Sequence, residues 1–247
     1  MTQRVFRIFR GQGQDGQLVD YGLDCDEGMV VLDAVHRIQA EQAPDLACRW
    51  NCKAGKCGSC SAEVNGKPRL MCMTRLSDYP TEQPLTVTPM KAFPLVKDLV
   101  TDVSWNYEVN KRLPEFQPRK PDAPDGTWRM YQYEVERPQE FRKCIECFLC
   151  QDVCHVLRTH QKHPEFIGPA FLTRAAAYDT HPLDTTDRST YLKETGGIGY
   201  CNITKCCTEV CPESIGITDN AIIPLKERVV DQHYDPVKKI LRVLTGG

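Results

Sequence analysis

Eleven of the fourteen cysteines in this 247-residue chain fall into three spaced runs, and that spacing constrains the fold more tightly than any other feature. The first is Cys52-x4-Cys57-x2-Cys60, with Cys72 after eleven intervening residues. The second is Cys144-x2-Cys147-x2-Cys150-x3-Cys154, and the third repeats its frame as Cys201-x2-Thr204-x2-Cys207-x3-Cys211-Pro212. Disulfides explain this poorly. Met1 to Arg10 alternates apolar and basic side chains and lacks the apolar core of a signal peptide, and no apolar run approaches the length of a membrane span. The chain is therefore expected to stay in the cytoplasm, where thiols are kept reduced and clustered cysteines default to metal ligation. Charges nearly cancel, 31 basic against 33 acidic, so no global field invites nucleic acid or anionic lipid. Any membrane role must come through a partner.

The pattern divides the chain in two. Arg4 to Arg10 and Gln17 to Leu23 read as strands of a hairpin, with Phe6 and Ile8 on one face. Gly11-Gln-Gly13-Gln-Asp-Gly16 between them fits the dinucleotide pattern GxGxxG, but that motif needs a helix next and a strand follows, so these are read as turn residues. Val31, Leu32, Val35 and Ile38 predict a helix over 29–42, and Asn65-Gly66 suits the positive-φ positions of a type I′ turn. Leu85 to Thr88 is a further short strand. The expectation is an α+β fold: a plant-type ferredoxin (β-grasp) domain over 1–105, then an all-α, bacterial-ferredoxin-like domain over 106–247. Pro114, Pro118, Pro121 and Pro124 mark a connector at about 113–125, and Asp235-Pro236 starts a last helix through Val237, Ile240, Leu241 and Leu244.

The first run has the plant-type two-iron spacing, so Cys52, Cys57, Cys60 and Cys72 are the candidate ligands of a 2Fe-2S cluster, with Gly55 and Gly58 letting the backbone curl closely over it. A structural zinc site is the plainer alternative, but zinc favours paired short spacings. In two-cluster ferredoxins the first three positions of each run share one cubane and the fourth cysteine crosses to the other. That wiring assigns Cys144, Cys147, Cys150 and Cys211 to a 4Fe-4S cluster, and Cys154, Cys201 and Cys207 to the second. There Thr204, a hard hydroxyl donor, stands where a thiolate belongs, and a 3Fe-4S cluster follows. Cys206, beside Cys207, could shift the register or supply a fourth thiolate after rearrangement, but the frame to Cys211-Pro212 favours Cys207 and Cys206 is read as a bystander; Cys25 and Cys48 are read as buried free thiols.

Taken in order, these motifs resemble the iron-sulfur subunit of succinate dehydrogenases and fumarate reductases. The likeness spans nearly the whole chain and extends to Val31-Leu-Asp-Ala34, Cys57-Gly-Ser-Cys60, Pro94-Leu-Val-Lys-Asp-Leu-Val100 and Cys144-Ile-Glu-Cys147. It implies an electron wire running from the FAD of a separate flavoprotein, through the two-, four- and three-iron centres, to a quinone bound by a membrane-anchor subunit, or the reverse. It also implies a peripheral position on the cytoplasmic side of the membrane. Near the quinone the family often has a tryptophan where this chain has Thr159 and a histidine where it has Asn202, and both departures favour a menaquinone-like acceptor over ubiquinone. Lys226 lies about where a family lysine approaches the quinone, and is equally a solvated helix lysine.

His155, His160 and His163 cluster past the second run; a histidine there could pass protons, while surface histidines are the plainer reading. Lys53, Lys56, Lys143 and Lys205 sit beside candidate ligands, where positive charge favours thiolates, or serve only solubility. No catalytic acid or base constellation is present. Competing readings are a free-standing ferredoxin-type carrier and the same wire attached to another flavin-dependent dehydrogenase. The segment from Pro94 to Val103 and the helical tail, read as docking surfaces, argue against the free carrier.

Overall fold

A computed structural model describes residues 2–13 and 15–236. The N-terminal half is a mixed sheet covered by one helix. Strands β1 (Thr2–Gln12) and β2 (Asp15–Cys25) form a long antiparallel hairpin, and helix α1 (Val31–Glu41) buries Val31, Leu32, Ala34, Val35 and Ile38. Asp33 accepts a hydrogen bond from the Val30 amide at the start of α1, and Pro44 follows its end. Strands β3 (Ser61–Val64), β4 (Lys67–Leu70) and β5 (Leu85–Thr88) complete the central part, with β1 and β5 parallel. Asn65 and Gly66 both have positive φ, 48° and 74°, as a type I′ turn between β3 and β4 requires.

Two expectations need correction. The glycines of the GxGxxG-like stretch are not all turn residues, because the hairpin pairing runs on to Gln12 and Asp15 and sets Gly11 opposite Gly16. A Cβ on Gly11 would lie 2.2 Å from the Asp15 carbonyl oxygen, and one on Gly16 would strike the Phe9 ring at 2.1 Å, so both are small for packing reasons. The stretch around Pro94 to Val103 is built into the sheet: β6 (Leu95–Lys97) and β7 (Val100–Thr101) extend it in the order β4-β3-β5-β1-β6-β7. Asp98, at φ 49° between them and 1% exposed, holds this corner. Its carboxylate accepts from the Gly11 amide at 2.9 Å, the Ala47 amide at 2.8 Å and the Arg10 guanidinium at 3.1 Å.

All regular elements described after the sheet are helical: α2 (Ser104–Arg112), α3 (Gln132–Phe141), α4 (Leu149–Val153), α5 (His155–Arg158), α6 (Gly168–Asp179), α7 (Ser189–Glu194), α8 (Cys206–Glu209) and α9 (Ile223–His233), the last preceded by a π-helical turn, Ile217–Ile222. The proline-rich stretch after Leu113 has no helix or strand of its own, apart from an isolated bridge between Pro118 and Asp184. Arg188, fully buried, fastens it by donating to the carbonyls of Pro114 and Glu115 at 3.0 and 2.9 Å while pairing with Asp184. The expected final helix through Val237 to Leu244 lies outside the described residues. Among the described residues no helix is long and apolar enough to cross a membrane.

The two halves share side chains. One core groups Phe6, Ile8, Leu32, Ile38 and Val87 with Cys147 and Leu149 from the helical half; the other draws in Met90, Ala92 and Phe93 from the end of the sheet. Each large apolar side chain so buried is worth about 1.5–3 kcal/mol. Asp98→Ala would take the acceptor from two part-buried amides and one of three partners from the Arg10 guanidinium, and is expected to lower stability by about 2–4 kcal/mol. A thermal unfolding midpoint unchanged from wild type would contradict this account of the corner.

Candidate functional site

The first cysteine run forms an exposed loop between α1 and β3. Lys53, Gly55 and Gly58 all take positive φ, 54°, 68° and 67°, so the chain reverses repeatedly within six residues, 53 to 58. The curl aims the amides of Ala54 and Lys56 at the Cys52 sulfur, at 3.4 and 3.3 Å. Cys60 and Cys72 are buried, on the strand side of the loop and in the turn after β4. Hydrogen bonding from the Ser59 side chain brings the Cys57 thiol down to about 6, whereas burial pushes Cys60 up to about 12 with Cys72 beside it.

The second and third runs share one backbone signature. Counting from the first cysteine of each, the third and fifth residues are left-handed: Glu146 and Phe148 at φ 54° and 58°, Ile203 and Lys205 at 61° and 63°. None is glycine, and such positions cost about 1–3 kcal/mol each unless the surroundings demand them. Alternating left-handed residues turn successive amides toward one side, forming a concavity suited to an anionic group. Each run then enters a short helix, α4 or α8, that carries Cys150 or Cys207 in its first turn. Thr204 thus occupies in the third run the place of Cys147 in the second.

The fourth cysteines cross over. Cys144, Cys147, Cys150 and Cys211 line one small cavity, walled otherwise by Phe148, Ala170, Ile215 and Ile217 among others. Cys154, Cys201, Cys207, Cys206 and Thr204 line a second, together with His155, Asn202 and Thr218. Lys226 is not on that wall; it lies one turn along α9 beyond Ile222, which is. His160 packs edge-on against His155, and His163 is wedged against Trp105 and Phe93. Lys56 pairs with Glu213 and Lys205 with Asp219, while Lys53 lies over the Trp50 ring. Cys25 is buried and Cys48 part-buried, each thiol pushed up by burial.

The first loop touches the first cavity directly. Ser61 donates to the Cys147 carbonyl at 2.9 Å, and a Cβ on Gly58 would meet the Cys147 Cα at 2.6 Å. Beside this contact, Glu63 on β3 is fully buried and pairs with Arg158 at 2.7 Å and Lys91 at 3.2 Å, and Asp152 accepts from the Ala92 amide at 3.0 Å. Burial pushes Asp152 up to about 7. Both acids lie where the sheet meets the helices, and sequence reasoning missed them because nothing local marks a surface-type residue as buried.

The donor sets suit inorganic clusters. Among the described residues no three His, Cys, Asp or Glu side chains close on a point as ligands of a single ion; the thiols of the two runs surround cavities instead. Burial pushes Cys147 up to about 12 and Cys154 to about 11, and raises Cys144, Cys150 and Cys207 as well. Bare thiols so placed stay protonated, and only a bound cation would compensate the buried thiolates.

A β-grasp sheet carrying one thiol loop, joined to helices carrying two crossed runs, defines an iron-sulfur protein of the two-domain electron-transfer class. Residues 3–108 match the 2Fe-2S iron-sulfur cluster binding domain, and residues 140–215 the 4Fe-4S dicluster domain. The chain is 33% identical over 202 residues to the fumarate reductase iron-sulfur subunit of Mycobacterium tuberculosis, covering 79% of each chain. It is 31% identical to the succinate dehydrogenase iron-sulfur subunit of Bacillus subtilis, covering 73% of this chain and 71% of the other. A chain of the Mycobacterium smegmatis Sdh1 complex in its apo form superposes with a TM-score of 0.92 at 58% identity, over 96% of this chain and 99% of that one. This chain belongs to the family of succinate dehydrogenase and fumarate reductase iron-sulfur subunits.

Gly58→Ala would combine a strained left-handed alanine with a clash on the Cys147 backbone, and is expected to cost about 2–4 kcal/mol and loosen the joint between the halves. Limited proteolysis between the two domains is the measurement; cleavage no faster than in wild type would show that the contact tolerates a methyl group.

Proposed function

We propose that this chain is the electron wire of a succinate:quinone oxidoreductase, linking the FAD of a flavoprotein subunit to a quinone held by a membrane-anchor subunit. The observation that carries the reading is the exchange of Cys154 and Cys211 between two thiol-lined cavities, with the loop of Cys52, Cys57 and Cys60 pressed against the first. Cys52, Cys57, Cys60 and Cys72 would hold a 2Fe-2S cluster, Cys144, Cys147, Cys150 and Cys211 a 4Fe-4S cluster, and Cys154, Cys201 and Cys207 a 3Fe-4S cluster. When bound, such clusters each accept and release single electrons. The chain's own contribution is to hold the ligands close together and to aim amide donors at the Cys52 sulfur. We take the division between the two units to lie at about residue 105.

Further support comes from Thr204: with its hydroxyl in the frame position of a thiolate, the second cavity offers a poor ligand at one corner. The exposed Asn202 and part-buried His155 on the same wall are the candidates for quinone contact, and Asn202, unlike histidine, cannot cycle a proton near neutral pH. The resemblance, with its departures at Thr159 and Asn202, is what points to an acceptor of the menaquinone kind. Lys226 would act only at longer range. In this reading the chain sits peripherally on its anchor, on the cytoplasmic face; no helix among the described residues is long and apolar enough to cross a membrane.

Low-temperature EPR of the oxidised complex is expected to show a three-iron signal, and Thr204→Cys to convert that centre to four irons. Anaerobically purified complex devoid of acid-labile sulfide, or lacking a flavoprotein partner, would overturn the proposal. Thr218 provides a finer test. It is 1% exposed, receives a hydrogen bond from Thr208 at 3.1 Å, and places its own hydroxyl 3.5 Å from the Cys207 sulfur. A donor there favours the more negative, reduced cluster. Thr218→Val removes about 1 kcal/mol of that preference and is expected to lower the midpoint potential of the second cluster by roughly 40 mV. An unmoved potential in a redox titration would mean that the hydroxyl does not address the sulfur.

A further inference from the structure

The second cavity carries one thiol more than a three-iron site uses. Besides Cys154, Cys201 and Cys207, its wall includes Cys206, whose sulfur lies 3.3 Å from the Thr204 hydroxyl oxygen. Thr204 stands in the frame position of Cys147, as the matching left-handed residues on either side establish. In the same frame residue 206 corresponds to Leu149. Leu149 takes no part in the wall of the first cavity and is buried, 1% exposed, in the core of the N-terminal half. Cys206 is part-buried and does line its cavity. The third run therefore departs from the second at two adjoining places: a thiol is lost at 204, and another stands within hydrogen-bond distance of the atom that replaced it.

We propose that Cys206 is a recruitable fourth ligand, which lets the second cluster take up ferrous iron at the corner that Thr204 leaves open. The inference rests on reading that cavity as a three-iron site. The step balances without any oxidant or reductant. A reduced [3Fe-4S]0 core and one Fe2+ sum to [4Fe-4S]2+, no electron changes hands, the Cys206 S–H bond breaks, an Fe–S bond forms, and the proton passes to solvent. Rotation of the Cys206 side chain would exchange its contact with the Thr204 hydroxyl for the incoming metal. Because Cys206 is not fully enclosed, iron held there can exchange with iron in solution, which makes the centre responsive to the ferrous iron supply.

The test uses the intact complex. Reduced anaerobically with dithionite, it is given excess ferrous iron enriched in the Mössbauer-active isotope and then desalted. Wild type is expected to retain one added iron with a four-iron Mössbauer spectrum, while the integer-spin EPR signal of the reduced three-iron core falls by more than half. Cys206→Ala is expected to keep that signal and to bind no added iron, and an undiminished two-iron signal shows that the variant is folded. Wild type that binds nothing and keeps its three-iron signal overturns the proposal, as does equal uptake by the variant. If neither protein shows a three-iron signal before iron is added, the underlying reading of the cavity fails and the proposal with it. A wild type that is already four-iron beside a three-iron variant supports Cys206 as the ligand.

Discussion

The contact between Gly58 and the backbone of Cys147 is the constraint on which the rest of the architecture turns. No side chain fits there, since even a methyl group would fall 2.6 Å from the Cys147 Cα. The exposed thiol loop of the N-terminal half is thereby laid directly on the first thiol-lined cavity of the C-terminal half. Ser61 reinforces it with a hydrogen bond to the Cys147 carbonyl, and Lys56 with an ion pair to Glu213, two residues past Cys211. Electron transfer between centres needs short separations and fixed orientation, and both follow from a glycine pressed against a peptide.

Around that contact the protein accepts costs that make sense only with metal present. Burial disfavours the charged form of five thiols of the helical half, and four residues within the two crossed runs, none of them glycine, sit in the left-handed region. Iron-sulfur bonds and inward-facing amides would offset both, coupling cluster assembly to folding of the helical half. Fully buried Glu63, with Arg158 and Lys91, then ties the sheet to the helices following the second run.

Much of the fold was legible because it follows periodic rules. The hairpin, α1 and the Asn65-Gly66 turn came from alternation, 3.6-residue spacing and a dipeptide with a known preference for positive φ. The β6–β7 corner did not, since two- and three-residue strands carry no periodic signal and Asp98 earns its place through partners 51 and 87 residues away. Helices α4, α5 and α8 are equally silent, being four or five residues long and set by how the chain wraps a cavity. Cys206 shows the same limit: as a neighbour of Cys207 it reads as redundant, and only the fold brings its sulfur to 3.3 Å from the Thr204 hydroxyl.

The sequence by itself determined the identity and grouping of the cysteines, the missing thiolate at 204 and the succession of a sheet half and a helical half, because spacing and periodicity are local properties of a chain. The exchange of Cys154 and Cys211 between cavities was already implied by the spacing of the runs; only the tertiary structure decided that Glu, Phe, Ile and Lys take left-handed conformations and that a glycine in one half meets a cysteine in the other. Those facts depend on packing between segments separated by up to about ninety residues, as Gly58 and Cys147 are, and packing leaves no trace in the neighbours of any one residue.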